Sequence, residues 1–131
     1  MRIGYTVGNP ELIKALTLVK NSFNHFPVDV ICKTAAIAAL KSYEYYEKIT
    51  TEIVKTREWF SQELSKKGYS VIPSKTNFVF VNHPTKKGSE IYEDVKKTGI
   101  LIRHFATPGI ENFVRITIGT REQMEALLKV M

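Results

Sequence analysis

Cysteine occurs once in 131 residues, at Cys32, so the chain can form no internal disulfide and no cysteine-built zinc site. A reducing, cytoplasmic setting is the expectation that follows. Long apolar runs are missing too. None approaches the ~20 residues a membrane-spanning helix needs, and the first residues show no basic stretch leading into an apolar one. A soluble, untargeted chain with no membrane partner is expected. Histidine is sparse: His25, His83 and His104 lack ligand-like spacing, and each reads as a solvated or hydrogen-bonded structural residue. There is no G-x-S-x-G, no P-loop and no G-x-G-x-x-G, which removes the usual signatures of hydrolases and nucleotide binders.

Acidic residues are in deficit, 13 against 19 lysines and arginines, for a net charge of +6. A basic balance suits nucleic acid, an anionic membrane or anionic small molecules, and charge alone does not choose among them. With 44% hydrophobic and 24% charged residues, the chain has the composition of one globular domain over residues 1–131 that buries a core.

Along the chain, Ile3-Gly4-Tyr5-Thr6-Val7 reads as a buried strand ended by Gly8. Asn9-Pro10-Glu11 then opens a helix, with Asn as N-cap and Pro at the first helical position, and Leu12, Ile13, Leu16 and Val19 make its apolar face. The stretch from Asn21 to Pro27 reads as a loop carrying Phe23 and Phe26. A second helix is expected from Asp29 to Lys41, where Ala35, Ala36, Ala38 and Ala39 suggest a closely packed neighbouring backbone, and Cys32 reads as a buried, inert thiol. A long charged helix follows from Tyr43 to Lys67, with Tyr46, Ile49, Ile53, Phe60 and Leu64 on one stripe and Gly68 closing it.

Beyond Gly68 the period changes to two. YSVIP and NFVFVNH read as strands, Thr85 to Lys97 as a helix with Ile91 and Val95 inward, and ILIRHF and FVRITIG as two more strands around a turn at Pro108-Gly109. Thr120-Arg121-Glu122-Gln123 is a capping box for a last helix with Met124, Leu127, Leu128 and Met131 on one face. The order of elements indicates an α+β fold, a mainly antiparallel sheet with helices packed on one face.

The arginines hold the chemical interest. Alternation in FVRITIG sets Val114, Ile116 and Ile118 on one face and Phe113, Arg115 and Thr117 on the other. The same rule puts Arg103 with Leu101 at the end of a neighbouring strand. Two adjacent guanidinium groups repel unless an anion bridges them, and their planar forks match carboxylate or phosphate. Each arginine taken alone also fits a solvent-facing position on a sheet, and Arg2 fits a frayed terminus.

The stretches MRIGYTVGNPELIKAL, FNHFPVDVICKTAAIAAL, IPSKTNFVFV, GILIRHF and FVRITIGTREQMEALL together resemble, in order and spacing, the C-terminal part of the histidinol-phosphate aminotransferases. These are fold type I enzymes dependent on pyridoxal 5′-phosphate (PLP), and the resemblance covers nearly the whole chain. It implies the C-terminal small domain of such an enzyme and a place in histidine biosynthesis. By the same resemblance Arg2 contacts the cofactor phosphate, Arg115 grips the anionic end of the substrate, Arg103 helps it, and Asn77 lies on the substrate side of the cleft. One arginine site would then serve histidinol phosphate and 2-oxoglutarate in turn, and the basic charge needs no nucleic acid.

The lysine that holds PLP covalently lies, in the family, in a segment corresponding to residues before Met1, with the aspartate that pairs the pyridinium nitrogen and the aromatic residue stacked on the ring. No catalytic residue is therefore expected in this chain, which reads as a truncated product or shortened reading frame. Homodimerisation, or association with the missing N-terminal part, is the expected assembly. Threonine-phosphate decarboxylase and aromatic aminotransferases share much of the pattern, and a stand-alone basic module for RNA or another anion is the reading from a different class, with Phe78 and Phe80 as a conceivable platform. The purified chain mixed with PLP is expected to show no absorbance band of covalently held cofactor and no transamination of histidinol phosphate; robust signals in both assays would overturn the fragment reading.

Overall fold

The computed structural model describes residues 3–24, 26 and 28–131, which fall into two compact units divided between Tyr46 and Glu47. The first unit is helical. Helix α1 spans Pro10–Phe23, its start fixed by the Asn9 side chain, which accepts the Glu11 N–H at 2.9 Å. Helix α2 spans Val30–Lys41 and is capped by Asp29, whose carboxylate accepts the Cys32 N–H at 2.8 Å. That bond holds the Asp29 carboxyl below its ordinary pKa, and the same carboxylate pushes the Cys32 thiol up. Cys32 is half-buried rather than buried.

Three expectations for this unit are corrected. Residues 3–9 form no strand, because an extended run needs a ladder partner for its N–H and C=O groups and none pairs with it among the described residues. Helix α1 continues through Phe23, two residues past the expected break at Asn21. Its apolar face exists as a pattern yet stays open: Leu12 is 66% and Val19 57% exposed. Ala36 and Ala39 line a cavity of 510 Å³ together with Ile3, Gly4 and Tyr5.

Helix α3 spans Tyr43–Lys66. In the second unit its Thr56, Arg57, Phe60 and Leu64 are buried, whereas Tyr46 and Ile49, expected on the inner stripe, are exposed. A 24-residue helix is roughly 36 Å long, longer than the five-residue strands it would need to cover. Burial begins at Ile53. The helix ends as expected at Gly68, whose φ of 87° needs a glycine.

Strands β1 (Ser70–Ile72), β2 (Phe78–Asn82), β3 (Arg103–His104) and β4 (Phe113–Thr117) make one antiparallel sheet in the order β1-β2-β4-β3. Val79, Val81, Val114 and Ile116 are fully buried on one face, against Phe60 and Leu64 of α3, Ile91 and Val95 of α4 (Gly88–Lys97), and Met124, Leu127 and Leu128 of α5 (Arg121–Leu128). The expected α+β arrangement, an antiparallel sheet with helices on one face, is what forms. Helix α5 starts on its capping box, with the Gln123 N–H donating to Thr120 Oγ1 and the Thr120 N–H to Gln123 Oε1. Helix α4 begins three residues later than expected, because Thr85 is held in a turn by its N–H and hydroxyl to His83 Nδ1, and the Lys87 N–H donates to Glu90. Strand β3 is shorter than ILIRHF suggests: it lies at the sheet edge and pairs β4 at two residues only.

Gly88 joins α4 to the loop before β4. A Cβ there would lie 2.7 Å from the Glu111 carbonyl oxygen and 2.8 Å from the Asn112 carbonyl carbon, so backbone rests on the glycine. A glycine-to-alanine change at an ordinary helical position stabilises by reducing unfolded-state entropy. Here the sign should reverse, and Gly88→Ala is expected to cost about 1–3 kcal/mol in urea unfolding, with an unchanged m-value.

Candidate anion-binding site

The sheet face turned away from the helices carries the chemistry. Phe78, Phe80 and Asn82 of β2 stand opposite Thr117, Arg115 and Phe113 of β4, and on the far side of β4 Arg103 stands directly opposite Arg115. Side chains opposite each other on an antiparallel pair are close neighbours, and like charges there destabilise. Two facts show how the pair is accommodated. Arg115 Cζ lies 5.1 Å from the centre of the Phe78 ring and 5.7 Å from that of Phe105, while Arg103 Cζ lies 5.4 Å from the same Phe105 ring. Among the described residues neither arginine has a carboxylate partner, because the ion pairs present are i,i+3 or i,i+4 pairs within helices.

The rings are themselves organised. Phe80 stacks on Phe113 at 4.6 Å with planes 13° apart and meets Phe105 edge-on at 6.1 Å. The result is two cations on a half-buried aromatic floor, open to solvent. Such an array can take a doubly charged anion by paired N–H donors in a setting less hydrated than bulk water.

Of the residues singled out in the sequence, Arg103 and Arg115 are thus brought together. Asn77 is exposed, one residue before β2, and among the described residues its side chain makes no hydrogen bond to either arginine; its carbonyl accepts the Ile118 N–H at 2.9 Å. Arg2 lies outside the described residues.

Sequence reading missed two contributors. Phe105 follows Arg103 by two residues and so shares its face, a signal of the same period that located the arginines. Arg57 is only 8% exposed, and its Nη1 donates to the Thr76 carbonyl at 2.8 Å. It sits four residues after Ile53 and three before Phe60, and a charge on that inner stripe was the available clue. Thr76 belongs to a tied loop: Ser74 Oγ donates to the Phe78 carbonyl at 2.6 Å and lies 2.9 Å from Thr76 Oγ1. Arg57 therefore anchors the segment that delivers Phe78 beneath Arg115.

The whole chain, residues 1–131, matches the family model described as aminotransferase class I and II. The chain belongs to this family, and its fold is that of the small C-terminal domain of the fold type I transferases. Among its relatives, a protein of Clostridium botulinum (strain Okra / Type B1) named histidinol-phosphate aminotransferase is 44% identical over 128 residues, which are 98% of this chain and 36% of that protein. The crystal structure of histidinol-phosphate aminotransferase from Sinorhizobium meliloti in complex with pyridoxal-5′-phosphate is 28% identical, with a TM-score of 0.73 over 98% of this chain and 35% of that one. The histidinol-phosphate aminotransferase from Clostridium acetobutylicum is 27% identical, with a TM-score of 0.78 over 89% of this chain and 36% of that one. The chain spans about a third of the length of the curated relatives it matches.

Arg57→Met keeps the length of the buried side chain and removes the donor to Thr76. It is expected to lower stability by about 1.5–3 kcal/mol, the range for a hydrogen bond from a charged group, measured by urea unfolding, and to shift the amide resonances of residues 74–78.

Proposed function

We propose that this chain supplies the substrate-anion clamp of a PLP-dependent histidinol-phosphate aminotransferase, an enzyme that moves an amino group between histidinol phosphate and 2-oxoglutarate. The observation that carries the reading is the register of β3 on β4, which sets Arg103 opposite Arg115 with no carboxylate partner among the described residues. A phosphate dianion neutralises two guanidinium groups at once, and the distal carboxylate of a dicarboxylate offsets one of the two charges while its two oxygens can accept from both. One clamp serves both halves of the exchange. The names of the relatives at 40–44% identity support the choice of substrate.

When bound, PLP supplies the electron sink for the amino-group transfer. The described residues do not fit its covalent attachment: every lysine is exposed, on helices or loops, whereas an imine-forming lysine is usually held desolvated. Arg103 and Arg115 instead bind and orient the substrate at its far end, Phe78 and Phe105 exclude water from beneath them, and Asn77 borders the substrate side. Contact of Arg2 with the cofactor phosphate, homodimerisation or association with an N-terminal part, and a cytoplasmic setting without nucleic-acid partners complete the proposal. No helix among the described residues is long and apolar enough to cross a membrane.

The test is a chimaera joining this chain to the first two-thirds of the Clostridium botulinum relative. It should transaminate histidinol phosphate, and Arg115→Gln should lower kcat/KM about 100-fold, roughly 3 kcal/mol of transition-state binding. Equal turnover of the variant, or activity on amino donors lacking an anionic group alone, would remove the clamp.

A further inference from the structure

Among the described residues, Phe105 is the one ring that lies near both guanidinium groups, at 5.4 Å from Arg103 Cζ and 5.7 Å from Arg115 Cζ. It stands just past the end of β3, on the arginine face by alternation, and Phe80 meets it edge-on at 6.1 Å. The electron-rich face of an aromatic ring attracts a cation, most strongly where water is partly excluded. The two arginines stand opposite each other on paired strands, and among the described residues neither has a carboxylate partner. Something must hold two repelling, flexible side chains in the arrangement an anion needs.

We propose that Phe105 is a positioning residue, a shared cation–π platform that keeps Arg103 and Arg115 ordered in the absence of an anion and so raises the clamp's affinity for a phosphate group. The inference rests on the clamp reading and adds to it the means by which the clamp is preorganised. Without the ring face, each guanidinium would sample many rotamers, and binding would carry the cost of ordering both. Phe78 serves Arg115 alone, at 5.1 Å. The two rings therefore predict different patterns of loss.

The probe is inorganic phosphate titrated into the 131-residue chain, followed through the arginine Nε–H resonances, with ¹⁵N relaxation of those groups recorded without phosphate. Phe105→Leu fills similar space without a ring face. It should weaken phosphate binding about five- to tenfold and loosen both arginine side chains, as expected for loss of two modest cation–π contacts. Phe105→Tyr should stay within about twofold of the parent, since it keeps the ring face. Phe78→Leu should loosen Arg115 and leave Arg103 ordered, which tests the platform independently if Phe105→Leu fails to fold. Phosphate binding and arginine order unchanged in a folded Phe105→Leu would overturn the inference and leave the clamp standing. Absence of phosphate binding in the parent chain, or binding unaffected by Arg115→Gln, would overturn the clamp and the inference with it.

Discussion

The pairing of β2 with β4 over five residues is the constraint on which the second unit depends. Side chains alternate with a period of two, so the register that buries Val79, Val81, Val114 and Ile116 necessarily turns Phe78, Phe80, Phe113 and Arg115 to the opposite face. A slip of one residue would place Arg115 in the core and the valines in water, and no local adjustment could repair that. The core and the candidate site are therefore specified by the same rungs of one ladder. Strand β3 extends the logic by two residues, which suffices to set Arg103 beside Arg115.

A pair of like charges on facing rungs is a cost that a purely structural sheet would avoid. The aromatic floor offsets part of it, since three ring contacts surround two cations, and partial exposure screens the rest. Among the described residues neither arginine has a carboxylate partner. In the proposed clamp, an incoming phosphate or carboxylate would relieve the repulsion between the two arginines as well as accept their hydrogen bonds. Arg57 works on the other side of the sheet. Its charge is buried and satisfied through the Thr76 carbonyl, which locks the β1–β2 loop and with it the approach of Phe78 to Arg115.

Legibility in the sequence followed the range of the interactions. Caps and turns are decided within a few residues, and Asn9, the Thr120 box, Gly68 and Gly109 all perform as their patterns indicate. The alternation in FVRITIG identified both the core residues and Arg115, because a half-buried strand records its two faces directly. Ile3–Val7 shows the limit of that rule: the pattern of a strand is present, but a strand exists only with a partner, and pairing is not written in the segment itself. Helix α3 shows another, since its stripe runs the length of the helix while burial depends on what lies beneath each turn. Phe105 was legible as a neighbour of Arg103, yet its closeness to Arg115 required the register of a second strand pair.

The two units differ in what stabilises them. The second holds a continuous core from three helices and the sheet, with thirteen buried apolar residues among those described, all between Phe60 and Leu128. In the first, helices of 14 and 12 residues bury no residue fully, and what fixes them locally is an asparagine cap, an aspartate cap and their internal ladders. Helices of that length are marginal in water without tertiary packing, and α1 and α2 expose Leu12, Leu16, Val19, Ile31 and Leu40. Cooperative stability must then be concentrated between Glu47 and Met131, the part that carries Arg103, Arg115 and their rings. The proposed anion clamp sits on the second unit, which holds the continuous core, and the apolar helical faces lie on α1 and α2, where no residue is fully buried.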